Sequence, residues 1–163
     1  MLNKKEFTDS IKEYSSTLGF DLFGVTNPTS NIKNYSNLVS WLNNGFHGSM
    51  HWIENRQDER KNIYNYFPEV KSVISLGINY YSSSANLTNS KYKISNYAVG
   101  DDYHLVIKKK LYEIIELIKK YDNNIKFRVC VDTSPIMEKA WAQRAGLGWI
   151  GKHTNLINRE IGS

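Results

Sequence analysis

Asp132 stands where a short apolar alternation (Phe127, Val129, Val131) gives way to a helical pattern, inside the run VDTSPIMEKAWAQRAGLGWIGKHTNLINREIGS that ends at Ser163. A carboxyl at a strand end, beside the hydroxyls of Thr133 and Ser134, can be partly desolvated, the condition under which such groups deliver protons near neutral pH. The same position suits a plain helix cap, and spacing alone leaves both readings open. Ser134 fits an N-cap and Pro135 the first helical position, where its missing N–H costs nothing. Gly146 and Gly148 end the predicted helix, and Gly151, Lys152 and His153 follow. There, backbone N–H groups and cationic side chains can face an anion. An acid, an open glycine turn and nearby cations together describe a ligand site.

Other candidates are weaker. Arg56 and Arg60 lie four apart and can grip a carboxylate or phosphate, or form a solvated charge face with Glu59. His47 and His51 are also four apart, with Glu54 near, superficially a metal pair. Gly48 and Ser49 between them argue against a regular helix, and no metal site is assigned. Cys130 lies in an apolar segment and reads as an inert core thiol. As the single cysteine it excludes an intrachain disulfide or a CxxC metal site. Trp149, in the glycine turn, can line a pocket for a flat ligand.

The elements that must position these residues follow from periodicity. Phe7, Ile11, Tyr14 and Leu18 predict a helix over 3–18 closed by Gly19, and residues 20–26 alternate as a strand. Ser30 or Asn31 can cap a second helix with Tyr35, Leu38, Val39 and Leu42 on one face, ending at Gly45. Residues 45–50 read as a turn, followed by a segment that begins helically and becomes polar. A strand is predicted over 71–81 and a Ser/Asn-rich loop over 82–93. The longest helix is predicted over 101–121, with Asp101 and Asp102 at its positive end and Lys119 and Lys120 at its negative end. A last strand spans 126–131. The mixture predicts an α+β fold, a mixed α/β sandwich with helices on both faces of a sheet.

With 163 residues the chain is read as one domain, 1–163, and 40% hydrophobic content supports a packed core. A net charge of +5 suits an anionic partner such as nucleic acid, or simply a lysine-rich surface. The N-terminal residues lack the apolar core of a signal peptide and no window approaches a membrane span, so a soluble, cytoplasmic protein with no membrane association is expected.

Several segments are collinear with one known family: LGFDLFGVT, WLNNGFHGSM, DER followed by PEVKSVISLGINYY, ISNYAVGDDYH, and the whole of the run from Val131. Together they resemble the N-terminal part of epoxyqueuosine reductase, a tRNA-modifying oxidoreductase of queuosine biosynthesis. The resemblance implies a nitroreductase-like, cobalamin-binding domain. It implies reduction of epoxyqueuosine to queuosine at the wobble position of tRNA, with cobalamin held in a cleft without a histidine ligand. It assigns Asp132 as the proton donor to the epoxide oxygen and as a cofactor contact. Arg60 and Ser95 match positions lining the cobalamin site, and Lys152, His153, Asn155 and Leu156 match the loop that contacts the corrin. The mechanism needs the Asp132 carboxyl to face a corrin-sized hollow bordered by the glycine turn and the Lys152 loop. Asp102-Tyr103-His104 is superficially like the start of a cobalt-ligating box, but Ile107 stands where that box has glycine, and the segment opens a helix.

The family continues into a ferredoxin-like region that binds two four-iron four-sulfur clusters, then into helical repeats. Clusters need sets of cysteine thiolates, and this chain has Cys130 alone. A truncated or split form is therefore expected, with epoxyqueuosine-bearing tRNA as partner and the clusters supplied by another chain or by a longer gene product. The competing expectations are a cobalamin-binding module without chemistry, an inactive truncated product, a basic tRNA-binding fragment and, more distantly, a flavin-dependent nitroreductase-like enzyme.

Overall fold

The first helix begins where Asn3 stops the extended chain. Its Oδ1 accepts the N–H groups of Lys5 and Glu6, while Glu6 Oε2 accepts the N–H of Asn3 at 2.9 Å, a reciprocal capping box. The computed structural model describes residues 3–29, 32–81 and 94–162. The expected cap at Ser30 or Asn31 and the loop at 82–93 lie outside them. The elements are α1 (Lys4–Thr17), β1 (Leu22–Thr26), α2 (Ile32–Asn43), α3 (His51–Glu54), α4 (Gln57–Lys61), α5 (Ile63–Tyr66), β2 (Val73–Gly77), a 3₁₀ turn (Asn96–Ala98), α6 (Tyr103–Lys119), α7 (Glu138–Arg144), β3 (Trp149–Ile150) and β4 (Leu156–Ile157). They divide into two compact units, Met1–Leu22 with Gly77–Ile125, and Phe23–Leu76 with Lys126–Ser163.

In the first unit α1 packs on α6. Ile11 from α1 and Ile114, Ile115 and Ile118 from α6 are buried, as the predicted stripes require. Phe7 meets Tyr121 edge to face at 5.0 Å. Ser15 is wholly buried, and its hydroxyl donates to the Ile11 carbonyl at 2.7 Å, so its polar group is not left unpaired. Asp102 caps α6 by accepting the His104 N–H at 2.9 Å, and its Oδ1 also lies 2.8 Å from His104 Nδ1. Those two bonds from His104 hold the Asp102 carboxyl below its ordinary range. Ser95 precedes the 3₁₀ turn, and its carbonyl accepts the Ala98 N–H at 2.9 Å.

The second unit packs α2 on α4, α4 on α5, and α7 on β3 and β4. Leu42, Ile63, Val70, Val131, Pro135, Ala140 and Leu147 are buried in it. Gly24 is required here: a Cβ would stand 2.5 Å from the Ala145 carbonyl oxygen and 2.8 Å from Ala145 Cβ.

Helices with small sheets make the fold α+β, as expected. The sandwich is not what the described residues form: they contain two two-stranded sheets, β1–β2 and β3–β4. Residues 126–131 form no regular strand. Their alternation serves packing instead of a ladder. Val131 is buried and Phe127 and Val129 half-buried, while the exposed Lys126 pairs with Glu69 and Arg128 lies over the Phe67 ring at 5.3 Å.

Candidate active site

Asp132 occupies the left-handed region, with φ +55°, a conformation that aspartate tolerates better than most residues. The segment is tight on both sides. Thr133 N–H donates to the Val131 carbonyl at 2.6 Å and Ile136 N–H to the Ser134 carbonyl at 2.8 Å. Buried Val131 and Pro135 anchor the flanks while Asp132 itself is exposed. The Asp132 N–H donates to Glu138 Oε1 at 2.8 Å. Glu138 lies in the first turn of α7, where a negative charge is favoured by the helix dipole.

This geometry corrects the expected helix start. Ser134 and Pro135 precede α7 instead of opening it, and the cap position is Met137, without a side-chain hydrogen bond to the helix. Asp132 is therefore not the cap of that helix, and this removes the plainer of its two readings. Ser134 instead approaches the Tyr66 hydroxyl at 3.5 Å. Cys130 is half-buried nearby, and burial pushes its thiol up, against hydrogen bonds from Ser134 and Tyr66 that pull it down.

The glycine turn is built as expected, and Gly148 is its strictest member. At φ +158°, a Cβ there would lie 2.1 Å from the Ile157 carbonyl oxygen. That closeness lets β3 and β4 pair antiparallel, Trp149 opposite Ile157 and Ile150 opposite Leu156. Lys152, His153 and Asn155 sit exposed at the hairpin tip, with Leu156 half-buried at its base. Gly151 N–H donates to the Asn155 carbonyl and Thr154 N–H to the Gly151 carbonyl, both at 2.9 Å. Those two bonds close the turn from within. Lys139 Nζ reaches Asn155 Oδ1 at 3.5 Å, and Trp149 is 48% exposed.

Arg56 and Arg60 do not act as a pair. Arg56 is tied to Glu59 at 3.0 Å. Arg60 Nη1 donates to the carbonyls of Ile53 and Arg56 at 3.1 and 3.0 Å, and its guanidinium lies over the Trp52 ring at 5.7 Å. Burial, then the Arg56 charge, lowers the Arg60 pKa from its ordinary value. Arg60 faces a shallow surface hollow shared with Glu59, Lys61, Met137, Trp141 and Arg144.

Arg144 and Trp141 were not singled out from the sequence. Arg144 stacks on Trp141 at 4.7 Å and donates to the Thr29 carbonyl, to Thr29 Oγ1 at 2.9 Å and to Asn27 Oδ1 at 3.1 Å. The available signal was an Arg three residues after a Trp on one helix face. Its loop partner lies 115 residues away. Glu138 was likewise missed, since nothing local marks a glutamate that reaches back to a preceding turn.

The hollow beside Arg60 does not include Asp132 or Lys152–Leu156 in its lining. The expected corrin-sized hollow at Asp132 is therefore not formed by it. Ser95 belongs to the first unit and the other assigned residues to the second.

Comparison with known proteins agrees with the collinear motifs. The family model described as Epoxyqueuosine reductase QueG, DUF1730 matches residues 60–133, which include Arg60, Ser95 and Asp132. An epoxyqueuosine reductase of Leadbetterella byssophila is 42% identical over 98% of this chain and 52% of its own length. One from Prochlorococcus marinus is 39% identical over 100% of this chain and 52% of its own. A crystal structure of epoxyqueuosine reductase with an epoxyqueuosine-modified tRNA-Tyr stem loop superposes with a TM-score of 0.86 at 22% identity, covering 99% of this chain and 44% of that one. Motifs, family model and relatives converge on one conclusion: the chain belongs to the epoxyqueuosine reductase family, and spans about half the length of the curated relatives it matches.

Proposed function

We propose that this chain takes part in reducing epoxyqueuosine to queuosine at the wobble position of tRNA in the cytoplasm, with Asp132 as the proton donor to the epoxide oxygen. The observation that carries the proposal is identity of 42% and 39% to epoxyqueuosine reductases across 98% and 100% of the chain. The local structure supports the role of Asp132. Its turn is held by Glu138, its side chain is exposed, and the helix that follows does not use it as a cap. An acid so placed can meet a large substrate from solution, as the anticodon region of a tRNA requires. The same reading makes tRNA the anionic partner of a chain carrying +5.

Cobalamin is the cofactor that membership of this family implies. The hollow beside Arg60 is not where its assigned contacts meet, since neither Asp132 nor Lys152–Leu156 lines it. The positions assigned to cobalamin (Arg60, Ser95, Asp132, Lys152, His153, Asn155 and Leu156) enter this proposal as its contacts, and no chemical step is routed through the corrin. The electrons must also come from elsewhere. Cluster binding takes several thiolates and these residues include one, so the proposed electron source is a cluster-bearing region, on a partner chain or on a longer gene product.

The test is an anaerobic assay with epoxyqueuosine-bearing tRNA, cobalamin and a strong reductant. Turnover that Asp132→Asn abolishes, with cobalamin affinity unchanged, is the expected result. An unmodified substrate base, alongside normal turnover by a full-length relative, would show that the chain does not act alone. That outcome favours the second reading, a cobalamin-binding module without chemistry, for which the single cysteine is the specific support.

A further inference from the structure

We propose that His47, His51 and Glu54 bind a divalent transition-metal ion of the zinc type, with water completing the coordination. The proposal is independent of the reductase reading and uses none of its residues.

The donors converge although no helix joins them. Gly48, at φ +55°, reverses the chain between the two histidines, and Met50 N–H donates to the His47 carbonyl at 2.9 Å. His51 and Glu54 then lie one turn apart on α3. Glu54 Oε2 stands 3.8 Å from His47 Nε2 and 3.7 Å from His51 Nδ1, and one donor atom from each residue lies within 4.8 Å of the others. Both Glu54 distances are too long for hydrogen bonds. They are close to the edge of a coordination tetrahedron, roughly 3.3–3.5 Å when ligands sit about 2.0–2.2 Å from the ion. The two Glu54 edges need to close by only a few tenths of an ångström, while the His47–His51 edge lies within 4.8 Å.

The state of His47 points the same way. Its side chain is only 12% exposed and packs against Trp41 with ring centroids 6.0 Å apart. Its Nδ1 is buried without a hydrogen-bond partner. That is not the nitrogen that faces Glu54, so the case for His47 as a ligand rests on its fixed ring and on Nε2. An imidazole held in one orientation, with no hydrogen bond competing for the Nε2 that faces Glu54, is suited to be a ligand. Two imidazoles and one carboxylate are the donor set of open zinc sites, which keep one position for water. His51 and Glu54, at 68% and 50% exposure, leave that position accessible.

The experiment is a titration of the purified chain with Co²⁺, followed by visible absorption and then by competition with Zn²⁺. One equivalent of Co²⁺ should produce a tetrahedral d–d band that Zn²⁺ removes. His51→Ala and Glu54→Gln, both at exposed positions, should weaken binding by about tenfold or more with unchanged far-UV and near-UV circular dichroism. His104→Ala should leave it intact. Failure of the wild-type chain to give the band overturns the proposal. So does a band whose affinity changes by less than twofold in both variants, which would place the ion elsewhere.

Discussion

The Glu138 carboxylate accepts the backbone N–H of Asp132 at 2.8 Å, across six residues of chain. The first turn of α7 thus fixes the backbone of the proposed acid, and the acid does not in turn cap the helix. Under the proposed function the two carboxylates have separate tasks, one structural and one chemical.

Removing the Glu138 carboxylate should therefore loosen the turn without unfolding the chain. Glu138→Ala is expected to lower stability by about 1 kcal/mol, the usual worth of a single hydrogen bond. In the tRNA assay it should reduce kcat less than Asp132→Asn does. Urea denaturation and single-turnover kinetics measure the two effects separately.

Backbone and side chain at residue 132 can be told apart. Because its φ is +55°, Asp132→Gly should leave stability within about 1 kcal/mol, since glycine's backbone entropy offsets relief of the left-handed conformation. Asp132→Val should cost roughly 1–2 kcal/mol more, as a β-branched residue is poorly tolerated there. Both should abolish turnover. A glycine variant that is destabilised as much as the valine variant would refute the assignment of strain to this position.

Gly148→Ala should be among the most damaging small substitutions in the chain. The added Cβ would meet the Ile157 carbonyl oxygen at 2.1 Å, and that oxygen is backbone with little room to move. A loss above about 3 kcal/mol is expected, in the range reserved for strain and overpacking. A reduced near-UV signal, as the surroundings of Trp149 change, should accompany it. Ile114→Ala, in the other unit, should cost about 2–5 kcal/mol by leaving a cavity.

Acid should weaken the cap of α6. The folded Asp102 carboxyl is held below its usual 3.8 by hydrogen bonds from His104. A depressed carboxyl contributes stability that is present above the unfolded value and lost as pH falls through the folded one. Stability should therefore drop below about pH 4, and Asp102→Asn, which keeps an acceptor for the His104 N–H, should flatten that limb. Thermal melts across the acid range provide the check.

The three long helices were legible in the sequence because their signals are local. Asp102 marks the start of α6 within two residues, the stripes through Ile11 and through Ile114, Ile115 and Ile118 repeat at helical spacing, and Gly19 and Gly45 follow the first two helices. The family was legible too, since its motifs are contiguous runs. The failures share one cause. Residues 126–131 alternate like a strand, but whether an alternating segment pairs or merely packs depends on what lies beside it, and here Glu69 and Phe67 take its side chains.

The local pattern of residue types thus determined where the long helices lie and which family the chain joins. Only the tertiary structure decided that Glu138 holds Asp132, that Arg144 ties down Thr29 across 115 residues, and that His47 turns back to meet His51 and Glu54. Periodicity reports which face of an element is apolar; it carries no information about which polar atoms a non-helical turn will bring within reach of one another.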